Sequence, residues 1–228
     1  MQQLPLRIGP APAPSFDNFL VGANAAAVAA LREAGAAVTP IYLWGPAGCG
    51  KSHLLRARLQ AESARDGARP AAFGPARPAP WRWEEGCTLV AIDGCESLDA
   101  AQQHAAFALF VEAAGAGVPV ISAGRLPPVD LPVREDLRTR LGWGPVFQLR
   151  PIDEAEAAAV LRSEAARRGI ALGDEVIGYL MTHFARDLGS LMAVLDALDE
   201  FALARQRAVT VPLLRQMLAE RVLPESAA

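Results

Sequence analysis

The chain contains a single lysine, Lys51, although it has 22 lysine and arginine residues in all. Lys51 lies in the stretch LWGPAGCGKSHLL, where Gly45, Gly50, Lys51 and Ser52 follow the spacing G-x-x-x-x-G-K-[ST] of a phosphate-binding P-loop. Glycines let the backbone turn so that several N–H groups converge on phosphate oxygens, and a helix that begins near Lys51 adds the positive end of its dipole. A compact ammonium suits such a nest better than a planar guanidinium. The pattern predicts a phosphate site with Lys51 as a ligand, against the alternative of a glycine-rich surface turn.

A candidate metal ligand follows an apolar run further along the chain. Asp93 ends the stretch TLVAIDG, which is typical of a buried strand. An acid in that place binds Mg²⁺ through water while the hydroxyl of Ser52 is a direct ligand, so we predict Ser52 and Asp93 as metal ligands. The alternative is an aspartate that starts a turn before Gly94. Many P-loop ATPases carry a second acid where this chain has Gly94, and Glu96 lies two residues too late for that role.

Composition limits the class of protein. With 228 residues, of which 52% are hydrophobic, the chain is long enough to bury a sizeable core. The net charge of −3 and the isoelectric point near 5.7 argue against a large DNA-binding surface. The few cysteines predict reduced thiols in the cytoplasm, and the N-terminal sequence pattern predicts neither secretion nor a membrane span. The cysteines and histidines show no metal spacing: Cys49, Cys87, Cys95, His53, His104 and His183.

Short apolar runs alternate with helical patterns over the first two thirds of the chain. The run VTPIYLWG predicts a strand that leads into the P-loop, and KSHLLRARLQAESARDG predicts the helix after it. Further strands are predicted in AAF, TLVAIDG, VPVISAG and PVFQLRP, and further helices in VGANAAAVAALREAG, AQQHAAFALFVEAAGAG and VREDLRTRLGWG. This alternation indicates an α/β fold with a parallel sheet whose ligands bind at the carboxyl ends of the strands.

The pattern changes after Pro151. Asp153 and Glu156 have the spacing of a capping box at the start of DEAEAAAVLRSEAARRG, and three more apolar-striped helices follow. We therefore expect three parts: a proline-rich arm over residues 1–14, an α/β nucleotide-binding subdomain over 15–150, and a small all-helical lid over 151–228.

Several of these stretches together resemble the AAA+ domain of the bacterial replication initiator DnaA. They are SFDNFLVGANAAA, GPAGCGKSHLL, LVAIDG, LRTRLGWG and ARDLGSLMAVLDAL, so the likeness runs from Ser15 to about Val222. No helix-turn-helix pattern follows, and a lone domain of this kind is similar to the regulatory inactivators of the DnaA-like family. The resemblance implies a P-loop domain with a helical lid that binds ATP or ADP with Mg²⁺.

The resemblance also implies a set of nucleotide contacts. Arg186, in ARDLGS, matches the arginine of the helical lid that senses the bound nucleotide, and the alternative is a surface arginine at a helix start. The expected contacts are Val21, Gly22, Gly45, Pro46, Ala47, Gly48, Cys49, Gly50, Lys51, Ser52, His53 and Arg186.

By the same resemblance, Arg140 matches the family's arginine finger, which reaches the nucleotide of a neighbouring subunit. A guanidinium neutralises charge on the transferring phosphoryl group, and when it acts in trans, hydrolysis depends on assembly. Arg138 is a competing candidate, and a solvated helix face is the alternative for both.

The N-terminal arm carries a further motif. Gln3, Leu4, Leu6 and Ile8 fit Q-L-x-L-x-apolar, which resembles the peptide that bacterial proteins insert into the replicative sliding clamp. The amide can hydrogen-bond at the rim of a pocket that the aliphatic side chains fill. An ordinary tail that happens to contain aliphatic residues is the alternative.

Two departures from the DnaA pattern bear on activity. Gly94 replaces the second acid, and Gly124, in AGR, replaces the sensor acid, so we expect nucleotide binding with weak intrinsic hydrolysis. The resemblance implies a regulator of replication initiation that promotes hydrolysis of DnaA-bound ATP together with the DNA-loaded clamp, without sequence-specific DNA binding. The alternatives are an autonomous ATPase or loader that acts as a homo-oligomer, and a P-loop kinase for a small metabolite.

Overall fold

The structure is a computed structural model, and it describes residues 13–34, 39–183 and 188–222. It divides into two compact units, one over Pro14–Pro151 and one that contains Ile152–Ala228. The arm residues Gln3, Leu4, Leu6 and Ile8, and the lid residue Arg186, lie outside the described residues.

The first unit is a parallel sheet with helices on both faces. Its strands are β1 (Ile41–Trp44), β2 (Pro70–Phe73), β3 (Leu89–Ile92), β4 (Val120–Gly124) and β5 (Val146–Gln148). Its helices are α1 (Ala25–Glu33), α2 (Lys51–Ser63), α3 (Ala100–Ala116) and α4 (Glu135–Leu141). The five strands pair in the order β2-β3-β4-β1-β5, and every pair is parallel. The predicted α/β fold with a parallel sheet is confirmed.

The central strands are short and apolar because both faces of the sheet are covered. All residues of β3 and β4 are buried. Side chains alternate along a strand, so Leu43 and Ile121 belong to the core formed with α1 and α2, whereas Tyr42 and Val120 belong to the core formed with α3 and α4. The ends of β1, β3 and β4 thereby lie side by side between two packed layers.

The second unit is a bundle of four helices: α5 (Glu154–Arg167), α6 (Asp174–His183), α7 (Leu188–Arg205) and α8 (Val211–Val222). Its core includes Leu161, Leu180 and Met217. The predicted capping box is confirmed, because the Asp153 carboxylate accepts from the Glu156 N–H at 2.7 Å and the Asp153 N–H donates to the Glu156 carboxylate at 3.3 Å. Within the described residues, no helix has the length and apolar character needed to cross a membrane.

Candidate functional site

The P-loop connects the end of β1 to the start of α2. Gly50 caps α2 with a left-handed φ of 95°, and Gly48 has a φ of 78°. Gly45 has a φ of 151°, and a Cβ added to it would overlap the carbonyl oxygen of Leu149. Glycine adopts these conformations without a steric penalty. The turn places the N-terminus of α2, whose first N–H groups have no partner within the helix, directly after β1.

The ammonium of Lys51 lies inside this turn. Its Nζ donates to the carbonyl oxygen of Gly45 at 2.8 Å and to that of Pro46 at 2.7 Å. The Sγ of the buried Cys49 is 3.6 Å away. Carbonyl oxygens and a thiol are neutral partners, so no carboxylate neutralises this ammonium among the described residues. A cation held by neutral dipoles keeps its full charge for an anionic ligand.

A segment that precedes α1 packs against the P-loop. The carbonyl oxygen of Ser15 lies 2.9 Å from Nε2 of His53, and the rings of Phe19 and His53 are 5.5 Å apart. A Cβ on Gly50 would be only 2.5 Å from Cε2 of Phe19, so a side chain there would collide with this ring. The segment continues into Val21, whose side chain is exposed.

Asn24, which no sequence motif indicated as a site residue, anchors the same segment. Its side-chain amide donates to the carbonyl oxygen of Arg150 at 2.9 Å and accepts from the Arg150 N–H at 2.8 Å. Asn24 is buried at the end of the short 3-10 turn Gly22–Asn24. Just before Arg150, the Leu149 N–H donates to the Trp44 carbonyl at 2.7 Å. The pair of bonds therefore fixes Asn24 beside Arg150, one residue after the Leu149 N–H that donates to the end of β1. A lone polar residue among alanines was the only sequence signal.

The predicted metal ligand Asp93 directly follows β3 and is partly buried. Its carboxylate accepts from the N–H of Gly94 at 2.9 Å. Gly94 has a left-handed φ of 66°, and a Cβ there would be 3.2 Å from Cδ of Pro75. An acid at this position would require a backbone conformation that favours glycine. Ser52 lies in the first turn of α2, and no group of three or more His, Cys, Asp or Glu residues forms a metal cluster within the described ranges.

The hydroxyl of Tyr42 lies against Gly124, the last residue of β4. A Cβ on Gly124 would overlap the hydroxyl of Tyr42, which donates to the carbonyl oxygen of Leu126 at 2.9 Å. Burial, and then the nearby Cys95 and Glu96, raise the pKa of Tyr42 far above its usual range, so it remains a neutral donor. The Tyr42 hydroxyl fills the space that a side chain at position 124 would need.

Glu96 interacts with the segment that follows β4. Its carboxylate accepts from the N–H of Arg125 at 3.2 Å and pairs with the Arg125 guanidinium at 3.2 Å. The carboxylate therefore holds the segment after β4 through both the backbone and the side chain of Arg125.

Two of the three arginines of the α4 region are engaged within the chain. Arg134 pairs with Asp136 at 2.7 Å. Arg138 donates to the carbonyl oxygen of Val133 at 2.9 Å, and its Nε is buried without a partner among the described residues. The guanidinium of Arg138 is therefore partly withdrawn from the surface.

Arg140 differs from both. Its guanidinium carbon lies 4.5 Å from the ring centroid of Trp143 and 6.0 Å from that of Phe107. Over the described part of the chain, no carboxylate or carbonyl accepts a hydrogen bond from this side chain. The guanidinium rests on aromatic surface, and this contact does not use its N–H donors.

Comparisons with known proteins agree with this architecture. Residues 153–218 match the family model described as "Hda, lid domain", and residues 12–69 match the model described as "Bacterial DnaA ATPase domain". An uncharacterized protein of Haemophilus influenzae is 31% identical over 229 residues, which cover 95% of this chain and 98% of that protein.

Solved structures share the fold. Domain III of Thermotoga maritima DnaA superposes with a TM-score of 0.67 at 19% identity, covering 93% of this chain and 100% of that one. AMPPCP-bound DnaA from Aquifex aeolicus superposes with a TM-score of 0.62 at 19% identity, covering 85% of this chain and 68% of that one. These likenesses establish an AAA+ P-loop fold.

Proposed function

We propose that this chain, which belongs to the Hda-like branch of the DnaA-related AAA+ proteins, promotes the hydrolysis of ATP bound to the initiator DnaA. Family membership supports a DnaA-related regulator of replication. The proposed action on DnaA-bound ATP rests on one observation. Arg140 is held on aromatic rings, and no acceptor within the described residues accepts a hydrogen bond from its N–H groups. A guanidinium in that state is available to a phosphoryl group on another subunit.

The P-loop supports a nucleotide of the chain's own, and the similar DnaA of Aquifex aeolicus binds the nucleotide analogue AMPPCP. The left-handed glycines and the neutral partners of the Lys51 ammonium fit a nest for ATP or ADP phosphates. His53 lies in the first turn of α2 and contacts the segment that precedes α1, and we propose Val21, Gly22, His53 and Arg186 as further nucleotide contacts. A bound nucleotide supplies the negative charge that this nest neutralises.

Ser52 and Asp93 would hold Mg²⁺ beside those phosphates. One hydroxyl and one carboxylate are few ligands, but Mg²⁺ commonly keeps several waters and takes other ligands from substrate phosphates. The partly buried Asp93 accepts only the N–H of the adjacent Gly94 among the hydrogen bonds described, so it keeps acceptor capacity for a metal-bound water.

Two glycines support weak intrinsic hydrolysis. Gly94 has a left-handed backbone at the place of a second acid, and Gly124 lies against the Tyr42 hydroxyl. Neither position can carry a carboxylate without local rearrangement. A site that binds nucleotide but lacks both groups favours a regulator over an autonomous motor.

The DNA-loaded sliding clamp is the second proposed partner. Gln3, Leu4, Leu6 and Ile8 supply the motif for it, and they lie outside the described residues. Gln3→Ala combined with Leu4→Ala is expected to remove clamp binding in a pull-down assay while the melting temperature stays unchanged. Clamp binding that survives in the double variant would refute this part of the proposal.

The experiment that tests the proposal measures hydrolysis of DnaA-bound ATP with clamp loaded on DNA. Arg140→Ala should lower the stimulated rate on the order of a thousandfold, because an arginine finger acts only at the transition state. Arg140→Lys should rescue poorly, since a point charge does not reproduce a planar fork.

Arg138→Ala is the matched control from the same helix. It should keep the stimulated rate, apart from effects of lower stability, and both variants should keep this protein's own nucleotide and clamp affinities. If Arg138→Ala abolishes stimulation and Arg140→Ala does not, the finger is misassigned. If neither matters, the regulator hypothesis loses its mechanism, and steady-state ATP turnover by the isolated protein would then favour an autonomous ATPase.

A further inference from the structure

Trp143 is a large apolar side chain with no evident packing role. It follows α4, and 64% of its surface is exposed. Tryptophan is rarely this exposed in a folded domain, because burial of its ring is strongly favourable. Its described side-chain contact is the guanidinium of Arg140, which stands 4.5 Å from the ring centroid.

The backbone holds Trp143 in place from both sides. Its N–H donates to the carbonyl oxygen of Arg140 at 3.3 Å, which continues the last turn of α4. A Cβ on the next residue, Gly144, would overlap the carbonyl oxygen of Pro40, and the carbonyl of Pro145 accepts from the N–H of Tyr42 at 3.0 Å. The loop is thus fixed to the first strand of the sheet, and the exposed indole has a rigid support.

We propose that Trp143 is a positioning residue that orients the Arg140 guanidinium before the partner's nucleotide arrives. The inference rests on the proposed function of Arg140 in trans. An arginine side chain otherwise samples many rotamers, and an aromatic face restricts it without using its N–H groups. A carboxylate would hold the guanidinium more firmly, but it would occupy the donors and neutralise the charge that the phosphoryl group needs.

The size of the effect follows from the strength of the contact. A cation–π contact at an exposed site corresponds to a factor of about two to five in a rate or equilibrium constant. Phe107 lies at 6.0 Å from the guanidinium carbon, near the limit of such an interaction, so it compensates little. Loss of Trp143 should therefore weaken stimulation without abolishing it.

The test measures kcat and KM for DnaA-bound ATP hydrolysis, with clamp on DNA and DnaA as the varied component. Trp143→Ala should lower kcat about two- to fivefold with KM unchanged. Trp143→Phe, which keeps an aromatic face, should retain most of the rate, whereas Trp143→Leu should behave like alanine. Val129→Ala is the control for loss of exposed apolar surface near α4, since Val129 is 76% exposed, and it should match the wild type.

A double-variant comparison isolates the proposed coupling. Trp143→Ala should have no further effect when Arg140 is already alanine. In a separate measurement, Arg140→Ala should change the tryptophan fluorescence of the wild type but not of Trp143→Phe, because the cation then has no indole at that position to perturb.

The outcomes separate the two proposals. Arg140→Ala without effect on stimulated hydrolysis overturns the proposed function itself. If Arg140→Ala abolishes stimulation while Trp143→Ala keeps the wild-type kcat, or raises KM alone, only the positioning role is overturned. An equal loss of melting temperature and kcat in Trp143→Ala and Trp143→Phe would also overturn it, since that result indicates a structural role.

Discussion

A buried ion pair on α2, the helix that follows the P-loop, allows a prediction of the change in the free energy of unfolding. Arg58 donates to the Glu62 carboxylate at 2.8 Å, and only 6% and 3% of the two side chains are exposed. Arg58 also donates to the carbonyl oxygen of Ala34 at 2.5 Å, while Arg65 donates to both oxygens of the Glu62 carboxylate, at 3.1 Å and 3.3 Å. Removal of one partner leaves the other charge buried, and such changes cost about 3–5 kcal/mol in the free energy of unfolding.

The remaining contacts of Glu62 place the expected loss for Arg58→Ala at the lower end of this range. In Arg58→Ala the Glu62 carboxylate keeps a hydrogen bond from Thr88 and the exposed Arg65, so we expect a loss of about 3 kcal/mol. Replacement of both partners, as Arg58→Met with Glu62→Leu, removes both buried charges. The free energy of unfolding of this double variant should stay within about 2 kcal/mol of the wild-type value. The main remaining cost is that the Ala34 carbonyl oxygen loses its hydrogen-bond donor.

The pH dependence has a definite sign. Burial alone would raise the pKa of Glu62, but the hydrogen bonds from Arg58 and Thr88 and the charge of Arg58 outweigh it and lower that pKa. A lowered folded-state pKa contributes stability above the unfolded-state pKa, and this contribution is lost as the pH falls through the folded-state pKa. Without Arg58, burial dominates and Glu62 takes up a proton more readily. The difference between wild type and Arg58→Ala should therefore shrink on acidification.

Urea unfolding followed by circular dichroism at neutral pH and at mildly acidic pH measures both effects. Arg65→Ala is the matched control, because its exposed ion pair should contribute no more than about 1 kcal/mol. The reasoning is refuted if Arg58→Ala loses less than about 1 kcal/mol at neutral pH, or if its loss grows on acidification.

Three further changes test other parts of the molecule. Lys51→Ala should abolish nucleotide binding in isothermal titration, because the loop loses its only cation; unchanged affinity in the folded variant would contradict the P-loop assignment. Gly124→Ala should cost about 1–3 kcal/mol in urea unfolding by overlap with the Tyr42 hydroxyl, and clearly less in a Tyr42→Phe background; equal costs would show that this contact is not limiting. The hydrogen bonds from Arg167 and Arg168 lower the pKa of Glu164 to about 2, so its stabilisation of the second unit is present above an unfolded-state pKa near 4.5 and is lost between there and about pH 2. The thermal stability of Glu164→Gln should therefore approach that of the wild type as the pH falls, with a difference at neutral pH of about 1 kcal/mol after solvent screening; a constant difference would argue against this pairing.

Features formed by residues that are close together in the chain could be predicted from the sequence. The P-loop spacing around Lys51, the capping box of Asp153 and Glu156, and the alternation of strands and helices all involve residues a few positions apart. Backbone geometry and side-chain periodicity act over that range, so their patterns predict local structure and fold class. The resemblance of longer stretches to DnaA added the candidate role of Arg140.

The strand order and the supports of the site depend on contacts between distant residues. The alternating pattern predicts a parallel sheet, but not the order β2-β3-β4-β1-β5 that brings Gly124 beside β1. Asn24 reaches Arg150 across 126 positions, and Tyr42 reaches Leu126 across 84. The identity of Arg140 as the uncommitted guanidinium likewise depends on which acceptors packing brings near Arg138. Such pairings arise when the whole chain is packed, because burial forces each polar group to find a partner that local sequence does not specify.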